Sequence, residues 1–210
     1  MSLTSPPNSD IPDLFKGTIL GFRSSLNDEG LYREILATTS VNQVYNLVER
    51  IQQKQSKTGH LRHLSRIQQY LEKMDLYVGA IDSYVQVQPD ILALIWGPIK
   101  LLIQWTSTMS AAQDAIVNIT AEIGGLLPDF TSMAALHSQD RELGELLFLC
   151  FHDILDFYLV TLKFFNLSRK DPIAKLPKHR LILTRSSVAA FLRVPVAEGE
   201  GEDRAYEDAH

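Results

Sequence analysis

Apolar residues recur at alternating steps of three and four between residues 61 and 87. This spacing predicts a helix with one apolar seam, because such residues share a helical face, whereas Arg66, Gln69 and Glu72 lie on the opposite face. The seam consists of Leu64, Ile67, Leu71, Met74, Val78, Ile81 and Val85. Three heptads are near the minimum for a coiled coil, and the apolar segments that follow favour an intramolecular bundle instead.

The most apolar stretch, ILALIWGPIKLLIQW, occupies residues 91–105. Its length corresponds to about 22 Å of helix, short of the roughly 30 Å hydrocarbon core, so a central core helix is favoured over a membrane span. Pro89 ends the preceding helix or opens this one. The least apolar positions form one stripe, expected to be a narrow face toward water: Ala93, Gly97, Lys100, Gln104 and Ser107.

Four further segments have helical patterns. Ser40 and Gln43 form a capping box that predicts a helix from 40 to Gly59. A short helix is expected from 11 to Gly21, another from 110 that is ended by Gly124, Gly125 and Pro128, and a long one over 139–165.

No sustained alternation and no hairpin turn signal competes with these helices. The sequence therefore predicts an all-α bundle of five to six helices over residues 11–167. Residues 1–10 are expected to be disordered, and residues 168–210 are expected to form an irregular tail with an acidic end, disordered after 195.

The periodic apolar positions give the expected core. Trp96 and Trp105 are assigned to it rather than to cofactor stacking, since both lie in the most apolar helix. The expected structural core comprises Leu64, Ile67, Leu71, Met74, Val78, Ile81, Leu94, Trp96, Leu102, Ile119, Phe151 and Leu155.

Charge and cysteine usage narrow the function classes. The net charge of −5 argues against non-specific nucleic-acid binding, which needs a basic face. Cys150 is the single cysteine, so an internal disulfide is ruled out and a reducing compartment is expected. The N-terminus has no basic flank before an apolar run, so no secretion signal is recognised and the cytoplasm is the expected location.

Candidate chemistry is sparse. His60 and His63 have metal-ligand spacing, but no further ligands lie nearby and Arg62 would repel a cation. Cys150 and His152 are two residues apart, so they point to different helical faces and do not form a nucleophile pair. The carboxylates of the long helix (Glu142, Glu145, Asp153 and Asp156) lack the Glu-x-x-His pairs of a di-iron bundle. No phosphate-binding loop occurs. We therefore expect no catalytic, cofactor, metal or small-molecule site.

The order of three sequence blocks resembles a helical domain at the N-terminus of large fungal NACHT and other STAND-type NTPases. The blocks span about residues 60–166 and comprise VQVQPDILALIWGPIKLLIQ with Pro89, Trp96, Gly97 and Lys100, then EIGGLLPDF, then the aromatic last helix. The resemblance implies an all-helical signalling or effector module, as in fungal NOD-like receptors of non-self recognition and cell death. It brings no catalytic residues. The chain departs from the family after about residue 170, where the family's basic helix and NTPase are missing.

These observations favour a non-catalytic interaction module that binds a protein partner or self-associates. It should expose apolar patches and have no pocket with converging polar groups. A membrane-active cell-death effector is the alternative, although only Lys16 and Arg23 are basic in the N-terminal helix. A truncated gene product without independent function is a further alternative, and an enzyme is disfavoured.

Overall fold

The computed structural model describes residues 11–57, 65–82, 85, 88–107, 110–127 and 141–170. These residues form seven helices and no strand, which confirms the all-α prediction but exceeds the expected five to six helices. The helices are α1 (Ile11–Leu26), α2 (Glu29–Leu36), α3 (Val41–Lys57), α4 (Ser65–Asp82), α5 (Pro89–Thr106), α6 (Ser110–Leu126) and α7 (Arg141–Lys170).

Several predictions fall on other residues. The expected disorder of residues 1–10 and the irregular tail beyond 170 lie outside the described residues, as do Gly59, His60, His63 and Leu64. Helix α7 continues to Lys170, three residues beyond the predicted end of the bundle at 167.

Helix α2 is the helix that the sequence pattern did not predict. The Asp28 carboxylate caps it, since Oδ1 accepts a hydrogen bond from the Leu31 backbone N–H at 2.9 Å. Leu31, Tyr32 and Ile35 are buried, so its eight residues are held mainly by packing.

The predicted end of α1 at Gly21 is wrong. The helix continues to Leu26 because Phe22 and Leu26 add buried apolar surface after the glycine. The next residue, Asn27, stops the helix with a left-handed φ of 49° and donates its N–H to the Arg23 carbonyl at 3.2 Å. Asn27 therefore takes the C-terminal position that the sequence pattern assigned to glycine.

The predicted capping box of α3 is confirmed. Gln43 Oε1 accepts from the Ser40 backbone N–H at 3.2 Å, and Ser40 Oγ accepts from the Asn42 N–H at 3.2 Å. The two side chains satisfy backbone donors that the first turn of a helix leaves free.

Helix α5 lies at the centre of the bundle and packs against α2, α3, α6 and α7. Pro89 lies in its first turn, where the missing N–H costs nothing. Ten of the twelve expected core residues are buried, Val78 is half-buried, and Leu64 lies outside the described residues. The buried ten are Ile67, Leu71, Met74, Ile81, Leu94, Trp96, Leu102, Ile119, Phe151 and Leu155.

The stripe of small and polar residues on α5 faces water over only half of its length. Ala93 and Gly97 are buried, and a Cβ at Gly97 would lie 2.4 Å from the Ile35 carbonyl oxygen of α2. Further along the stripe, Lys100 Nζ donates to Thr38 Oγ1 at 3.1 Å, and Gln104 is exposed. The first half of the stripe is thus a close helix–helix contact rather than a solvated face.

Helix α6 ends within the segment from Gly124 to Pro128, as the sequence predicted. The helix runs through Gly124 and Gly125 to Leu126. A Cβ at Gly124 would lie 3.0 Å from Tyr70 Cα, so this glycine allows α4 and α6 to pack closely. Close packing outweighs the loss of helix propensity, about 1 kcal/mol per glycine.

Three buried tyrosines connect the central helices. The hydroxyls of Tyr70 and Tyr158 are 2.5 Å apart, and Tyr158 also donates to the Ile95 carbonyl at 3.2 Å. Tyr77 donates to the Leu147 carbonyl at 2.6 Å. Burial raises the pKa of all three phenols well above the ordinary value. These bonds tie α4, α5 and α7 together with no unsatisfied hydroxyl.

Candidate interaction surface

Helices α1 and α7 form a parallel pair on the outside of the bundle. Near the start of α1, the Phe15 ring lies 4.9 Å from the Phe151 ring and 5.7 Å from the Phe148 ring, measured between centroids. Just past its end, Asp28 Oδ2 accepts from Asn166 Nδ2 at 3.2 Å. Contacts at both ends therefore fix α1 along the length of α7.

A surface groove of about 280 Å³ runs between these two helices. We call it the α1–α7 groove; it is lined by Gly17, Thr18, Gly21, Phe22, Ser25, His152, Leu155, Asp156 and Leu159. Its floor is apolar, because Phe22 and Leu155 are buried. Gly17 and Gly21 leave the α1 wall open, since a Cβ built on either has no atom within 4 Å.

The ionisable residues that line the groove are His152 and Asp156 on α7, and Asp153 lies beside His152 but outside the lining. His152 Nδ1 lies 3.7 Å from Asp153 Oδ1 and 3.7 Å from Asp156 Oδ2. Desolvation raises the pKa of Asp153 above its ordinary value, with the nearby His152 opposing that change. None of the groove-lining residues is Lys or Arg. Asp156 therefore gives the groove lining a carboxylate with no Lys or Arg to pair with it.

The basic residues of α1 are already engaged elsewhere. Lys16 Nζ lies 3.3 Å from Asp13 Oδ1, and Arg23 makes two 2.9 Å contacts to the Glu29 carboxylate. The guanidinium of Arg23 also lies 5.2 Å from the centroid of the Tyr32 ring. Neither basic residue of α1 therefore pairs with the Asp156 carboxylate of the groove.

The two helices that form the groove also carry large apolar side chains that are exposed to solvent. Leu20 on α1 is 66% exposed, and Leu149 and Val160 on α7 are 55% and 49% exposed. Leu149 and Val160 are about three helical turns apart and so share one face of α7. Among the described residues, the other large hydrophobic residue that is comparably exposed is Leu76 on α4, at 41%. We call the groove together with Leu20, Leu149 and Val160 the α1–α7 face.

A second groove of about 220 Å³ lies on the other side of α1. Pro12, Phe15, Ile19 and Ile91 give it an apolar lining, and its charged residue, Lys16, is paired with Asp13. Its lining contains no carboxylate, in contrast to the α1–α7 groove with Asp156.

The residues considered for chemistry lie apart from one another. Cys150 is buried, and burial raises the pKa of its thiol to about 12, whereas His152 is exposed on another face of α7. Glu142 and Glu145 lie on the solvent side of α7. Within the described ranges, no three His, Cys, Asp or Glu side chains are grouped so that they could hold a metal ion. Across the same ranges, no helix combines the length and apolarity needed to cross a bilayer.

Sequence reasoning did not identify the α1–α7 face. Leu20, Leu149 and Val160 look like core residues in the sequence, because a helical pattern does not reveal which face a neighbouring helix covers. The available signal was the spacing of Gly17, Gly21 and Ser25, small residues four apart on one helical face.

The family comparison concerns mainly the later helices. A family model described as a domain of unknown function (DUF7708) matches residues 62–175, more than half of the chain. The match includes α4 to α7, and thus the α7 wall of the groove, whereas α1 precedes it. No curated protein and no solved structure matches the chain.

Proposed function

The chain belongs to the DUF7708 family, and from this premise we propose that it is a non-catalytic protein-interaction module that binds its partner through the α1–α7 face. The observation that carries the proposal is the exposure of Leu20, Leu149 and Val160 beside a preformed groove. Exposed apolar side chains clustered around a concave surface are typical of binding sites in helical proteins, where they supply the buried centre of the interface.

The resemblance to the N-terminal domains of fungal NACHT and STAND-type proteins supports a signalling or effector role. In that role the module would bind a second domain of the same kind, or a helix of a separate protein that contains a STAND-type NTPase domain. A cytoplasmic location fits this role, and the reduced thiol of Cys150 fits that compartment.

Site-specific photo-crosslinking tests the proposal. A photo-reactive residue replaces Leu149 in the full chain, which is expressed in the cells that normally make it. We expect a discrete covalent adduct with one protein, identified by mass spectrometry as a second copy or as an NTPase-bearing protein. The matched control replaces Leu76, an exposed leucine on α4, and should give no such adduct.

Two results would contradict the proposal. Equal adducts at positions 149 and 76 would mean that contact is unspecific, and no adduct with another protein at 149 would mean that no partner binds this face. Dye release from anionic liposomes by the purified chain would instead support the membrane-active alternative.

A further inference from the structure

The chemistry of the α1–α7 groove defines what it can hold. Its floor is apolar, its α1 wall lacks side chains at Gly17 and Gly21, and its α7 side carries Asp156 without a Lys or Arg in the lining. A fitting occupant therefore brings apolar side chains together with positive charge.

The chain itself contains such a segment. Residues 172–194 include five Lys or Arg residues and no Asp or Glu, although the whole chain is acidic. The same segment is rich in large apolar residues, including the runs LIL at 181–183 and FL at 191–192. Residues 198–208 carry the opposite charge, so they do not match the anionic groove.

The segment begins close enough to reach the groove. Helix α7 ends at Lys170, and Leu159, at the near end of the groove, lies about 16 Å back along the helix at 1.5 Å per residue. Ten residues of extended chain can span about 33 Å, so residues near 181 can return to the groove. A short tether of this kind gives an effective concentration in the millimolar range, which favours the chain's own segment over that of a second copy.

We propose that residues 172–194 dock in the α1–α7 groove of the same chain, with one of their Lys or Arg side chains paired to Asp156. This inference rests on the proposed role of the α1–α7 face as an interaction surface. It implies that an external partner must displace the segment before it can bind.

Paramagnetic relaxation enhancement on the full chain tests the docking. A nitroxide is attached to the Ser187→Cys variant; native Cys150 is buried and stays unlabelled. We expect the amide signals of Gly17, Gly21 and Leu159 to lose most of their intensity. The signals of Asn46 and Arg50 on α3 should keep theirs, because α3 packs on α5 away from the groove.

Charge reversal provides the second arm. Asp156→Lys, combined with the nitroxide at 187, should restore the Gly17 and Gly21 signals, as should about 1 M salt, where the Debye length falls to about 3 Å. The matched control, Glu34→Lys, makes the same charge change on exposed α2 and should leave the broadening intact. Circular dichroism checks that both variants are folded.

Three outcomes would overturn the inference. Unaffected groove signals would mean that the segment does not dock there, and broadening that survives Asp156→Lys would mean that the charge pairing is wrong. Broadening of an isotope-labelled chain by a separate nitroxide-bearing chain would assign the contact to a second copy. A photo-crosslinked adduct at position 149 without broadening of the groove signals would support the interaction module. It would contradict the docking of residues 172–194 in the groove.

Discussion

Gly97 on α5 and Gly21 on α1 both lie within helices, but their surroundings are opposite. A Cβ at Gly97 would lie 2.4 Å from a backbone oxygen of α2, whereas a Cβ at Gly21 would meet nothing within 4 Å. The first glycine allows two helices to approach, and the second leaves a wall of the groove open. Glycine therefore permits close packing of two helices at the centre of the bundle, and it leaves space beside α1 at the edge.

The difference extends to the helices that carry these glycines. Helix α5 is surrounded by four other helices, and its hydrophobic residues are almost all buried. The α1–α7 face keeps Leu20, Leu149 and Val160 in water. Substitutions at the centre of the bundle should therefore lower the free energy of unfolding strongly. Substitutions of exposed residues on the α1–α7 face should change it little.

The largest difference in stability loss is expected between substitutions of a buried and of an exposed apolar side chain. Trp96→Ala should lower the free energy of unfolding by about 3–5 kcal/mol, because it removes a fully buried side chain and leaves a cavity. Leu149→Ala should change it by less than about 0.5 kcal/mol. Urea unfolding followed by far-UV circular dichroism measures both values. Equal losses would show that the α1–α7 face contributes to folding and is not a free surface.

An intermediate effect is expected at the central glycine. Gly97→Ala should destabilise the protein by about 1–3 kcal/mol, because the added methyl group forces α2 away from α5 despite the better helix propensity of alanine. Thermal unfolding of the variant and the wild type provides the comparison. An unchanged or raised midpoint would mean that the contact between Gly97 and Ile35 is looser than described.

The smallest effect on stability is expected at Gly21, and it is a gain rather than a loss. Gly21→Ala should stabilise the protein by about 0.5–1 kcal/mol, because the helix gains propensity and the methyl group has free space. The same variant narrows the groove, so it should also reduce photo-crosslinking at position 149. A stabilised variant with full crosslinking would separate the glycine from the binding function.

The sequence predicted most of the helices because their apolar spacing and capping residues act locally. It did not predict α2, whose eight residues are too few for a periodic pattern to stand out. It also placed the end of α1 at Gly21, where packing outweighs the weak helix propensity of glycine. The error at Ala93 and Gly97 has a related cause, since small residues suit both a solvated stripe and a close helix contact.

The surface was harder to predict than the core. A buried leucine such as Leu94 and an exposed one such as Leu149 occupy similar local patterns, and only the positions of distant helices distinguish them. The buried pairing of Tyr70 with Tyr158 joins residues that are 88 positions apart, so no local pattern contains it. The α1–α7 groove likewise lies between helices that are far apart in the sequence, so neither segment alone predicts it.

The Tyr158–Ile95 hydrogen bond also has a consequence for synthesis on the ribosome. Its two residues are 63 positions apart, so at 5–20 residues per second the partner of Ile95 emerges roughly 3 to 13 s later. Helices α2 and α3 precede α5 and can cover one side of it at once. The side of α5 that packs against α7 stays exposed during that interval, so this apolar surface of the nascent chain is one that a chaperone can bind.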